Sequence, residues 1–120
     1  MPRQYFGLHG TLKAKPGERD RLLAVLLDAA TGAPTMPGCR LYVVSLVPDD
    51  ADAIAVTEIW DDKAAHDASL SLDAVRAAIA RARPYIAGFG GSSSFTPVGG
   101  LGEAAAAMLA GRDDADNERG

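Results

Sequence analysis

A carboxylate, an indole and an imidazole fall within a few residues of one another in VTEIWDDKAAHDASL, residues 56–70, as Glu58, Trp60 and His66. An imidazole exchanges protons near neutral pH. An indole offers a flat apolar wall and one N–H donor. A carboxylate accepts hydrogen bonds and, in apolar surroundings, needs a partner. Brought together, the three would make a small-molecule site able to hold a planar ligand and take a proton from it. Each type also has a plainer use. A lone tryptophan fills cores, a helix histidine bonds a nearby carbonyl or faces water, and Glu58 either lines a cavity or is neutralised across a sheet by a basic group or a hydroxyl.

The elements that must position them follow from periodicity. Residues 53–60 (AIAVTEIW) read as a strand, so alternation sets Val56, Glu58 and Trp60 on one face. Asp61 and Asp62 are suited to cap a helix carrying His66, which breaks near Ser69–Ser71, where Ser71 can cap a second helix, LDAVRAAIARA. Val75, Ile79 and Ala82 form the buried face of that helix, and Pro84 ends it. Upstream, residues 5–14 alternate as a strand, with Phe6, Leu8 and Leu12 on one side and Tyr5, His9, Thr11 and Lys13 on the other; glycines 7 and 10 weaken it. Pro16-Gly17 opens a helix with Leu22, Leu23, Leu26, Leu27 and Ala30 at helical spacing, ending at Gly32. After the loop APTMPG, residues 39–48 form a strand that pairs with 53–60 as a hairpin across PDDAD. A last, weaker strand is expected at 92–98. The order β-α-β-β-α-β predicts an α+β, ferredoxin-like split βαβ fold, with an antiparallel sheet that carries both helices on one face. Its other face is left apolar and uncovered, which predicts a homodimer packed through the sheet faces.

Composition narrows the classes of function. With 120 residues, 48% hydrophobic and 23% charged, the chain has material for one domain with a core. Residues 1–100 are expected to form that domain. The tail 101–120 carries two basic and five acidic side chains, −3 of the total −4, and is expected to be partly helical or disordered. The domain itself is nearly neutral and has no basic stripe, so nucleic acid is excluded as a partner, and an acidic pI near 5.0 disfavours anionic membranes. No apolar run reaches the roughly eighteen residues of a membrane span, and MPRQYFGLHG lacks a signal-peptide core; a cytoplasmic location is expected. The single Cys39 cannot form an internal disulfide, no Cys/His cluster has metal spacing, and no dinucleotide fingerprint occurs.

Four segments taken in order, LKAKPGERDRLLAVL, PGCRLYVV, TEIWDDKAAHDASL and TPVGG, resemble the first strand and helix, second strand, strand-to-helix element and last strand of the antibiotic biosynthesis monooxygenase-like (ABM) domains. The resemblance covers roughly residues 5–100. It implies a dimeric α/β barrel and a cofactor-independent monooxygenase that oxidises a phenolic, hydroquinone or polycyclic aromatic molecule with O2. In such a reaction the substrate supplies the electrons, and the protein orients it, deprotonates it and excludes water. On that reading His66 takes the proton and Trp60 forms the wall, while Glu58, Tyr42, His9 and Tyr85 are candidates for contacting substrate; no cofactor or metal is required. His9 has an alternative place in the dimer interface, and Tyr42 and Tyr85 one in the core.

Two rivals share the fold. A non-catalytic dimer that binds a small ligand, or assists a biosynthetic enzyme, needs the cavity and no proton acceptor. Haem-degrading relatives use an asparagine on the first strand, a tryptophan ending the third and an axial histidine further along the following helix. Trp60 matches, but GLHGT contains no asparagine, the residues about ten beyond Trp60 are Leu70 and Ser71, and His66 is too near.

Overall fold

The computed structural model describes residues 4–32 and 36–109. Seven elements follow the predicted order: β1 (Phe6–Ala14), α1 (Arg19–Gly32), β2 (Cys39–Leu46), β3 (Ala53–Trp60), α2 (Lys63–Ser69), α3 (Asp73–Ala82) and β4 (Ile86–Phe95). The strands form one open antiparallel sheet in the order β2-β3-β1-β4, the ferredoxin-like arrangement.

Alternation along the strands decides what lies under the helices. Leu12, Ala14, Ile54 and Val56 join Leu22 of α1 and Ala82 of α3 in the core, and Leu22 and Ile54 are wholly removed from solvent. Each such side chain contributes about 1.5–3 kcal/mol by burial. The turn into α1 needs Gly17, whose φ of 78° is one that side-chain-bearing residues seldom adopt. Between β2 and β3, Asp50 holds the turn by accepting from the Asp52 N–H (3.0 Å) and pairing with Lys13 on β1.

Two local expectations are corrected. Ser71 does not cap α3: its backbone N–H donates to Ala68 O (3.1 Å), inside the turn that closes α2, so Leu72 becomes the N-cap with no side-chain bond. Helix α3 ends at Ala82, before Pro84, as expected, and Pro84 lies within a 3-10 turn over Arg83–Tyr85. The last strand is Ile86–Phe95 rather than 92–98, and TPVGG lies beyond it. Its run AGFGGSSSF has the composition of a loop, yet pairing with β1 makes it a strand through two register irregularities. Glycines serve close approach there. A side chain at Gly90 would collide with Thr11, and one at Gly7 with the Phe95 ring, which occupies the space a Cβ at Gly7 would fill. The glycine that lowers strand propensity in β1 is thus the one that admits its neighbour's ring.

Beyond β4, residues 103–109 are helical, and Met108 is only 2% exposed. The acidic end, 112–120, and positions 33–35 of the loop before β2 lie outside the described residues. No described helix is long and apolar enough to cross a membrane.

Candidate functional site

Between the sheet and the helices lies a cavity of about 320 Å³. Its walls are mostly apolar, with Leu12 and Phe89 from the sheet, Leu26 from α1 and Ile79 from α3. Its polar lining comes from Tyr42, Glu58, Trp60, His66 and Ser69. Apolar walls with a few convergent polar groups are the usual form of a small-molecule site.

Trp60 ends β3 and is 1% exposed. Its ring lies edge-on to His66, with centroids 5.8 Å apart, and its Nε1–H donates to Glu58 Oε1 at 3.1 Å. Glu58 is two residues back on the same strand, so the pleat alone brings the carboxylate to the indole. Of the two roles the sequence leaves open for Glu58, it lines the cavity; among the described residues no basic side chain pairs with it, and its neutral partner is the indole.

His66 is placed by α2. Asp62 Oδ1 accepts from the Ala65 N–H at 2.7 Å, the predicted N-cap, which contributes about 1 kcal/mol. Asp61 instead pairs with Arg40. The cap fixes the first turn, and His66 then falls beside both Trp60 and Phe6, whose ring centroid is 5.3 Å away. Imidazole Nδ1 lies 2.9 Å from Asp67 Oδ1. With the carboxylate accepting, Nδ1 carries the proton, and in the neutral ring this leaves Nε2 its lone pair, the form a general base requires. Lys63, one turn back at 2.8 Å, and then His66 hold the Asp67 carboxyl below its ordinary range, so it stays an acceptor. Asp67 and Phe6 were not among the expected site residues. An acidic neighbour one position after a helix histidine was the signal for the first; the β1 to β3 register that brings Phe6 opposite Trp60 carried the second.

Tyr42 lies directly across the ladder from Glu58. Burial, with the Glu58 and Cys39 charges adding, pushes its phenol up to about 12, so it remains a neutral donor. Cys39 is likewise raised by burial, which keeps the thiol protonated and unreactive. The other two candidates are elsewhere. His9 is exposed on the opposite face of the sheet, with Nδ1 2.9 Å from Thr57 Oγ1, and Tyr85 packs against the core cluster; neither lines the cavity. Among the described residues no group of three or more His, Cys, Asp or Glu side chains could hold a metal.

No protein of curated function matches the chain. Solved structures do. A candidate antibiotic biosynthesis monooxygenase from Chloroflexus aurantiacus J-10-fl is 48% identical, with 82% of this chain and 97% of that one covered and a TM-score of 0.75. A counterpart from Deinococcus radiodurans is 26% identical over 82% of this chain and 93% of that one, with a TM-score of 0.65. One from Caulobacter crescentus CB15 is 24% identical, with 78% and 88% covered and a TM-score of 0.67, and shares the fold. The family model described as antibiotic biosynthesis monooxygenase matches residues 6–81. That stretch runs from β1 almost to the end of α3 and takes in Tyr42, Glu58, Trp60 and His66, and on it the chain belongs to the antibiotic biosynthesis monooxygenase family.

Proposed function

We propose that this chain is a cofactor-independent monooxygenase that oxidises a phenolic, hydroquinone or small polycyclic aromatic molecule with O2. The observation that carries the reading is the convergence of Trp60, His66 and Glu58 on one apolar cavity, with His66 backed by Asp67. At about 320 Å³ the cavity is near the lower end of the roughly 300–1,000 Å³ range of ligand sites. That size suits a bicyclic or tricyclic arene.

His66 Nε2 takes the hydroxyl proton, and the Nδ1–H bond to Asp67 steadies the imidazolium that forms. The electron-rich phenolate reduces O2 and captures it at a ring carbon as a peroxide. Loss of water leaves the quinone, with one oxygen atom in the product and the other in water, and all electrons drawn from the substrate. Trp60 holds the ring plane, and the apolar walls keep bulk water from the intermediate.

The uncovered sheet face gives the proposal its assembly. Val43 and Phe95 are 41% and 40% exposed there, and a second copy packed against them forms the homodimer.

The test is oxygen uptake by metal-stripped protein with hydroquinones, naphthols and anthrones, beside His66→Ala and Trp60→Phe. Uptake above the spontaneous background, reduced about 10²–10⁴-fold in His66→Ala, is expected. No enhancement with any substrate refutes the oxygenase and leaves a ligand-binding member of the family.

A further inference from the structure

The polar groups of the cavity differ in what they have left to give a ligand. The Trp60 N–H, the only donor an indole has, is already committed to Glu58 Oε1 at 3.1 Å. Glu58 Oε2 and the Tyr42 hydroxyl make no hydrogen bond to any described residue. The two belong to residues directly opposed in the β2–β3 ladder, on the same face, and both line the cavity. The lining includes no lysine and no arginine. The polar end therefore presents one open carboxylate oxygen, one open phenol and no fixed cation.

We infer that the cavity selects neutral hydroxylated arenes and rejects arenes that carry a carboxylate or sulfonate: in the resting complex the ligand hydroxyl donates to Glu58 Oε2 and accepts from the Tyr42 O–H, and its proton passes to His66 only when the ligand ionises. A hydroxyl is both donor and acceptor, so a single group satisfies both residues. An ether or ketone can accept from Tyr42 but leaves Glu58 unmet. An anionic substituent brings a second negative charge into an apolar space beside Glu58 with no arginine or lysine to compensate, and like-charge contact there is costly. The inference rests on the cavity being the substrate site and adds the class of substrate it accepts.

Binding measured without oxygen separates this selectivity from turnover. Isothermal titration calorimetry of the full chain, under nitrogen and at pH about 8, uses 1-naphthol, 1-methoxynaphthalene and 1-hydroxy-2-naphthoate as probes. 1-Naphthol is expected to bind about tenfold more tightly than its methyl ether, since the ether loses the bond to Glu58. The naphthoate is expected to be weaker than 1-naphthol by at least about tenfold. Glu58→Gln should shrink the naphthol-to-naphthoate ratio about tenfold, and Tyr42→Phe should weaken naphthol severalfold while leaving that ratio in place. The wild-type ratios are diagnostic even if a variant fails to fold. Naphthoate binding as tightly as naphthol, a ratio unmoved by Glu58→Gln in a folded variant, or no binding of naphthol overturns the inference. Selective anaerobic binding with no oxygen uptake would uphold it and remove the oxygenase reading alone.

Discussion

Two neighbouring rows of the same sheet carry polar residues to opposite ends. In one row Tyr42, Glu58 and Leu8 stand across β2, β3 and β1; one step along stand Val43, Thr57 and His9. The pleat turns the first row under the helices and the second to the open face. In the covered row Glu58 and Tyr42 keep hydrogen-bonding capacity unspent among apolar walls. In the open row His9 and Thr57 satisfy each other at 2.9 Å, beside a half-exposed valine. On the proposed function, the same strands divide ligand chemistry from assembly by a shift of one residue.

The division can be broken most forcefully at Trp60. Trp60→Ala deletes a buried ring and the donor to Glu58, and should cost about 3–5 kcal/mol in urea unfolding. A cost under 1 kcal/mol would mean that the covered face is not packed around it. Next comes Tyr42. Its phenol is raised to about 12 from 10, so the folded chain holds that proton more tightly than the unfolded one. The resulting stability, about 2–3 kcal/mol, is present in full below pH 10 and disappears as pH rises toward 12. Unfolding followed across that range should show the loss in the wild type and not in Tyr42→Phe. On the open face, Val43→Glu should convert a dimer to a monomer in light scattering while leaving naphthol binding intact; a wild type that is already monomeric at micromolar concentration would remove the assembly half of the comparison. The smallest effect belongs to His9→Ala. Its exposed bond to Thr57 should be worth less than about 0.5 kcal/mol, and a larger loss would show that the open row carries structural weight of its own.

How much of this was legible in the chain depended on whether a local rule was enough. Period-two alternation placed Glu58 and Trp60 together, and Asp62 declared the helix that brings His66 beside them. The strand AIAVTEIW was read to the residue because its β-branched pattern and its pairing agree. β4 defied local reading, since glycines and serines become a strand only when β1 supplies the hydrogen bonds and the bulges absorb the extra residues. Ser71 was misassigned for a related reason: the turn closing α2 had a prior claim on its backbone. Of the polar groups that line the cavity, Glu58, Trp60 and His66 were singled out by type and spacing, whereas Tyr42 was named beside Tyr85 with nothing in the sequence to separate pocket from core. Phe89 was not singled out, because its position depends on the displaced register of β4, and neither were the helix residues Leu26 and Ile79 as lining, because that depends on how far each helix stands from the sheet. His9 was placed on the correct face, opposite Phe6 and Leu8, and that face carries it away from the cavity.

The edge-on contact between Trp60 and His66 has an optical consequence. The chain contains a single tryptophan, and that one lines the cavity. All indole emission therefore originates within 5.8 Å of the imidazole, without interference from any second indole. A cationic imidazole quenches an adjacent excited indole, so the emission intensity traced against pH becomes a titration curve of His66 in place, and its displacement by a non-absorbing ligand reports occupancy in the unlabelled protein.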